Sequence, residues 1–147
     1  MNLKELLCVF LLVEHNSRVL HWKSIGVNFL DAHAEAEKQY DKAAEAIDQI
    51  AERALRLGIN PPEYGEALDV VHGLGDIGIN MVSPADDYDR EAVIESIYVN
   101  TNAIVKAIKK THEDLDDDEI GIRSYLENLC DEYELYARYL IKRRVER

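Results

Sequence analysis

Apolar residues recur in alternating steps of four and three along most of this chain, and those steps define helices. Ala36, Tyr40, Ala43, Ile47, Ile50, Ala54 and Leu57 keep the rhythm without a break, as the seam of a bundle helix does. That helix is predicted to start near Asn28, with Asp31 as an acidic first-turn residue. It runs to Leu57, where Gly58 suits the position just past a helix end. A first helix is predicted from Asn2 to about Ser24. Leu3, Leu6, Leu7, Phe10 and Leu20 form its apolar face, Asn2 and Glu5 have the spacing of a capping box, and Gly26 breaks it. Ile94, Ile97, Thr101, Ile104 and Ile108 mark a helix from about Asp87 to His112. Ile122, Leu126, Leu129, Tyr133, Tyr136 and Leu140 mark another from about Asp118 to Arg144. No segment alternates with the period of a strand.

All three prolines and most of the glycines fall in residues 58–86, between the second and third long helices, with room for a short helix from Glu63 to Val71. The expected architecture is all-α: one domain over residues 1–147, a four-helix bundle with a long crossover that contains a short helix. Short loops make neighbouring helices antiparallel, and one long central crossover is the ferritin-like topology.

Charge narrows the function. The chain carries 29 acidic and 17 basic residues, a net charge of −12. Such a surface keeps a protein soluble, repels DNA and anionic membranes, and attracts cations. DNA binding is not expected, because phosphate binding needs clustered Lys and Arg. No apolar run approaches the ~20 residues of a membrane helix. The run LLCVFLLV lacks a basic leader and a cleavage-like site and reads as a core helix. Cys8 and Cys130 have no metal-ligand spacing and read as buried free thiols in a reducing cytosol. The expected location is cytoplasmic.

Core packing does not account for a second stripe on the second helix, about 100° around its cylinder. It carries His33, Glu37, Ala44, Asp48, Ala51, Glu52 and Leu55. His33 with Glu37, and Asp48 with Glu52, are pairs one turn apart, and each pair can place two ligand atoms near one point. Imidazole with carboxylate suits iron, manganese or zinc. The pairs lie roughly 22 Å apart along the helix, so one chain cannot bring both to one ion. A second copy, antiparallel about an axis between Lys42 and Ala43, places His33 opposite Glu52 and Glu37 opposite Asp48. Ala44 and Ala51 are small enough for close approach. Two identical metal sites shared between subunits are the expectation, and a solvated acidic face is the alternative reading of the same stripe. His21, at the end of the first helix, could reach the same ion; Trp22 beside it also fits simple packing.

The residues LHWKSIGVNFLDAH followed by AIDQIAERALRLG strongly resemble the Dps-like mini-ferritins. The matching positions are His21-Trp22, Gly26, Asn28-Phe29, His33, Asp48, Glu52-Arg53 and Leu57-Gly58, within residues 20–58. The remaining helices match in outline. The resemblance implies four-helix subunits in a hollow twelve-subunit cage, with a ferroxidase centre between two-fold-related chains. His21, His33 and Glu37 would come from one subunit, and Asp48 and Glu52 from the other. It implies oxidation of Fe(II), with hydrogen peroxide favoured over dioxygen, and storage of ferric mineral inside. Trp22 resembles the tryptophan beside the family's iron site, an electron donor or radical trap. Position 37 is often Asp in the family and is Glu here. The basic N-terminal tail by which many members bind DNA has no counterpart before the first helix, and the C-terminal KRRVER reads as a cationic last turn favouring the helix dipole.

The run Glu113, Asp114, Asp116, Asp117, Asp118, Glu119 has two readings. Around a three-fold axis, Asp114, Asp116, Asp117 and Asp118 could line an acidic iron entry pore; otherwise the run is an acidic start to the fourth helix. A site inside one bundle would need Glu-x-x-His motifs, and the sequence has none. Alternatives to ferroxidase activity are a non-catalytic cage and a nucleoid-associated structural protein. The first would tolerate damaged ligands, whereas all five ligand positions here carry metal-competent side chains.

Overall fold

The N-terminal capping box forms as its spacing predicts. Asn2 Oδ1 accepts from the Glu5 amide at 2.8 Å, and Glu5 Oε1 accepts from the Asn2 amide at 2.9 Å. These bonds satisfy two of the amides that every helix start leaves without partners. They open α1, Leu3–Lys23, in a computed structural model that describes residues 1–63, 65–136 and 141–142. Among the described residues there are four further α-helices: α2 (Phe29–Arg56), α3 (Glu66–Gly73), α4 (Arg90–Asp114) and α5 (Ile120–Glu134). The fold is the expected all-α four-helix bundle, with α3 as the short helix of the crossover.

Each boundary has a local cause. Asn28 precedes α2 in the left-handed region at φ 66°, and its side chain makes no capping bond, contrary to an ordinary asparagine cap. The turn before it already bends through Gly26 at φ +93°, and Asn tolerates the left-handed conformation better than most residues. At the far end, Gly58 (φ +75°) donates to Leu55 O at 3.0 Å and Ile59 donates to Ala54 O at 2.9 Å, the paired closure of a Schellman motif. The short helix starts at Glu66 rather than Glu63, because the Glu63 amide is bonded to the Glu66 carboxylate at 2.7 Å. The start of α4 is Arg90 rather than Asp87. Asp89 caps Ala92 N at 2.9 Å, while Tyr88 is drawn into a short parallel bridge with the α1–α2 turn. The acids expected to open the last helix precede it, and its first turn contains none. Its expected end at Arg144, the seam residue Leu140 and residues 143–147 of the basic C-terminal run lie outside the described residues.

The core has two parts. Leu3, Leu6, Leu7 and Phe10 of α1 are buried with Ile104, Ile108, Ile122, Leu126 and Tyr133, and the Phe10 and Tyr133 rings meet edge-on at 5.7 Å. Near the α1–α2 turn, Val19, Leu20, Ala32 and Ala36 pack with Val82, Val93, Ile94 and Ile97. The buried face of α2 is broader than the predicted seam. Tyr40, Ile47 and Leu57 are half-buried at its margin, while Glu35, Gln39 and Ala46 are buried. Burial of the two polar residues is compensated in part by hydrogen bonds: Gln39 donates to Thr101 Oγ1 at 2.9 Å while its Oε1 finds no partner among the described residues, and the Tyr136 hydroxyl donates to Glu35 Oε2 at 2.5 Å. Asn16, fully buried, fastens the crossover to α1. Its amide donates to Asn80 O at 2.9 Å and its oxygen accepts from Val82 N at 3.3 Å. Neither cysteine is in a disulfide; Cys8 is buried, and Cys130 is half-buried and donates to Glu134 Oε1 at 3.2 Å. No helix among the described residues is long and apolar enough to cross a membrane.

Candidate metal centre

The last turn of α1 and the first turns of α2 bring His21 and His33 together. Their rings stack at 3.6 Å between centroids with 19° between planes. Each ring is held by the other residue's main chain: His21 Nδ1 lies 2.9 Å from His33 O, and His33 Nδ1 lies 2.7 Å from His21 O. A carbonyl oxygen only accepts, so each Nδ1 carries the proton and donates. Each neutral ring then keeps its lone pair on Nε2. This is how a metal-binding imidazole is set up, with one nitrogen anchored and the other left for a cation. The His21 carbonyl is available because it lies in the last turn of α1, where helical partners run out; it also accepts from Ser24 Oγ at 3.2 Å.

Glu37 follows His33 by one turn and is exposed. Between them and α1 stands Tyr40, which the sequence pattern assigns to the seam. Its ring meets His21 edge-on at 5.4 Å, the Arg18 guanidinium lies 4.3 Å over its face, and its hydroxyl donates to Glu37 Oε1 at 3.4 Å. Desolvation first, then the Glu37 and Asp41 carboxylates, hold that hydroxyl above the ordinary tyrosine pKa. Trp22, the aromatic singled out by the sequence, is 64% exposed. Phe29 meets the His33 ring edge-on at 6.1 Å, and Tyr40 is the aromatic in contact with His21. Its place, one turn beyond Glu37 and two beyond His33, was the available sign.

Asp48 and Glu52 are exposed on the same face of α2, farther along. Among the described residues, no three His, Cys, Asp or Glu side chains of one chain are grouped closely enough to hold a metal ion. The chain thus carries two imidazoles and Glu37 toward one end of α2, and two carboxylates toward the other. The stripe is bracketed by exposed leucines, Leu30 at 67% and Leu55 at 54%. From Leu30 through His33, Glu37, Asp41, Ala44, Asp48 and Glu52 to Leu55, the steps are three, four, four, three, four, four, three. The series reads the same from either end.

The acidic run after α4 is partly neutralised within the chain. Asp114 is ion-paired with the amino group of Met1, Asp117 lies 3.8 Å from Arg123 Nη1, and Glu119 lies 2.6 Å from Arg56 Nη2. Asp116 and Asp118 are exposed.

Comparison with known proteins bears on the family and the fold. The family described as "Ferritin-like domain" matches residues 2–141. An uncharacterized protein of Haemophilus influenzae is 35% identical over 80 residues, covering 54% of this chain and 50% of that protein. A "DNA protection during starvation protein" of Porphyromonas gingivalis is 41% identical over 56 residues, 37% of this chain and 35% of that protein. The chain thus spans half the length or less of these curated relatives. The crystal structure of a Dps protein from Bacillus brevis superposes with a TM-score of 0.84 at 19% identity, covering 98% of this chain and 92% of that one. The chain therefore belongs to the ferritin-like domain family, with the fold of the Dps protein it superposes on.

Proposed function

We propose that the chain is a ferroxidase subunit that oxidises Fe(II) at sites shared by two-fold-related copies and stores the ferric product in a closed cage. The palindromic stripe of α2 carries this reading. A second copy, antiparallel about an axis between Lys42 and Ala43, sets His33 opposite Glu52 and Glu37 opposite Asp48. The same operation sets Leu30 opposite Leu55, so two exposed apolar side chains bury each other beside each site. One register thus serves both ligation and packing.

Iron is the substrate here, and the donor set fits it. Two Nε2 lone pairs and three carboxylates are nitrogen and oxygen donors suited to Fe(II) and, increasingly, to Fe(III). Carboxylates and neutral imidazoles need lose no proton near pH 7, so protons compete little with the metal. Glu37, with Asp48 and Glu52 of the partner subunit, stabilises the higher charge of the product more than that of the reactant. That difference favours oxidation. Peroxide, or else dioxygen, takes the electrons at coordination positions the protein leaves open. The net charge of −12 draws cations toward the cage and disfavours DNA, and Asp116 and Asp118 are the acids best placed to line an entry path. A twelve-subunit cage in the cytoplasm completes the reading.

Complementation tests it. His33→Ala and Glu52→Ala should each abolish most iron oxidation, since each removes a ligand from every site. In a mixed pair, one site loses both residues and the opposite site keeps both. Random pairing of equal amounts should restore about a quarter of the sites. If mixing is confirmed by native mass and no activity returns, the shared site is refuted.

A further inference from the structure

We infer that Arg90 is a positioning residue for the imidazole pair, acting from the start of α4 through Asp31; the inference rests on His21 and His33 being metal ligands. The two rings come from opposite sides of a turn built on two residues in the left-handed region. That turn carries Gly26 at φ +93° and Asn28 at φ +66°, and Asn28 makes no side-chain cap. The reciprocal ring-to-carbonyl bonds form only if the end of α1 and the start of α2 keep one register.

The segment entering α4 holds both sides of that turn. On the α1 side, Tyr88 N donates to Lys23 O and Ile25 N donates to Tyr88 O, each at 2.9 Å. Lys23 Nζ also pairs with Asp87 Oδ1 at 3.0 Å. On the α2 side, Arg90 Nε donates to Asp31 Oδ2 at 2.9 Å, with each side chain about one-third exposed. Lys23 is two residues past His21, and Asp31 is two residues before His33. The clamp therefore holds the chain just inside the ligand pair, at both ends of the turn that joins them.

The charge of Arg90 does nothing for its own helix. It occupies the first position of α4, where a cation opposes the helix dipole. The opening of α4 is already secured by Asp89. The partner of Arg90 is the carboxylate in the first turn of α2, where a negative charge is favoured. The pair transmits the position of α4 to the helix that carries His33, and neither residue need touch the metal.

The test is anaerobic titration of the assembled protein with Co(II), followed by its visible d–d bands, which report affinity and ligand geometry without turnover. Arg90→Gln should weaken Co(II) binding by about tenfold, as loss of support behind a metal ligand does, and alter the bands. Helical content and native mass should stay unchanged. Arg90→Lys should recover most of the affinity. Asp31→Asn should match Arg90→Gln, and the double variant should be no worse than either single one, because the two act as a unit. If Arg90→Gln loses helical content, Asp31→Asn decides by the same criteria. Unchanged affinity and bands in a folded variant would overturn the positioning role alone. If the unaltered protein gives no Co(II) bands that His33→Ala removes, the ligand assignment fails and the inference with it.

Discussion

Leu30 and Leu55, the two leucines of α2, stand at equal distances from the midpoint between Lys42 and Ala43, and both are more than half exposed. Leucines exposed to this degree on one stripe call for a cover, and their symmetry about that midpoint makes a second copy a self-complementary one. The prediction is a charge-swap rescue. Leu30→Lys should weaken the two-fold pair and lower iron oxidation, because a lysine faces an apolar side chain. Leu55→Glu should do likewise. The double variant places Lys opposite Glu across the axis and should regain much of the assembly and activity. Native mass and initial rates measure both. A double variant worse than either parent would rule out the register.

The imidazole pair predicts a protonation pattern. In the metal-free protein at mildly alkaline pH, the ring proton of both His21 and His33 should sit on Nδ1, the tautomer less favoured by free histidine in water. Nitrogen-detected or long-range proton–nitrogen NMR distinguishes the two ring nitrogens. A proton on Nε2 of either ring would show that its carbonyl bond is absent and its metal-binding nitrogen blocked.

Asn16 should be a stability residue without being a site residue. Asn16→Ala removes both bonds to the crossover and leaves the Val82 amide buried without that partner. A loss of about 2–4 kcal/mol is expected. The corresponding fall in thermal midpoint is about 5–10 °C, with Co(II) affinity at lower temperature little changed. A midpoint within a degree of the unaltered protein would contradict the strap.

The two thiols should differ in reactivity. Burial pushes the Cys8 thiol from 9.0 up to about 11, so at pH 8 a thiol reagent should label Cys130 first and leave Cys8 unreacted until unfolding. The sign of the stability effect follows. Between pH ~9 and ~11 the unfolded chain ionises Cys8 while the folded chain keeps its proton, so this group's contribution falls as pH rises through that window. Fast native labelling of both cysteines, or a Cys8→Ala variant with the same alkaline decline as the parent, would count against it.

Regular features were legible in the sequence because they are local. The Asn2–Glu5 box, the stop at Gly58, the seams of α1 and α4 and that of α5 as far as Tyr133 depend on residues a few positions apart, and the structure places them as expected. The start of α4 was not legible, because Tyr88 is taken by a main-chain partner more than sixty residues away. Glu35 and Gln39 read as surface residues by type, and their burial depends on partners distant in sequence, Tyr136 and Thr101 among them. The spacing of His21 and His33 suggested proximity. It could not supply the stacked rings or the crossed carbonyl bonds, which depend on the angle at which two helices leave a turn. Tyr40 was visible as a seam residue, and its contact with His21 was not.

The closeness in sequence of His21 and His33 has a consequence for timing. Twelve positions and one turn separate them, a short loop to close during folding. The helical hairpin of α1 and α2 can therefore prepare its pair of nitrogen donors early, before the distant crossover contacts are made. The carboxylates that complete the proposed site arrive only when another finished chain docks. Meeting a partner, a concentration-dependent event, would then be the step that switches on oxidation. A newly made subunit would stay redox-silent until it is paired, the first step toward the cage that holds the product.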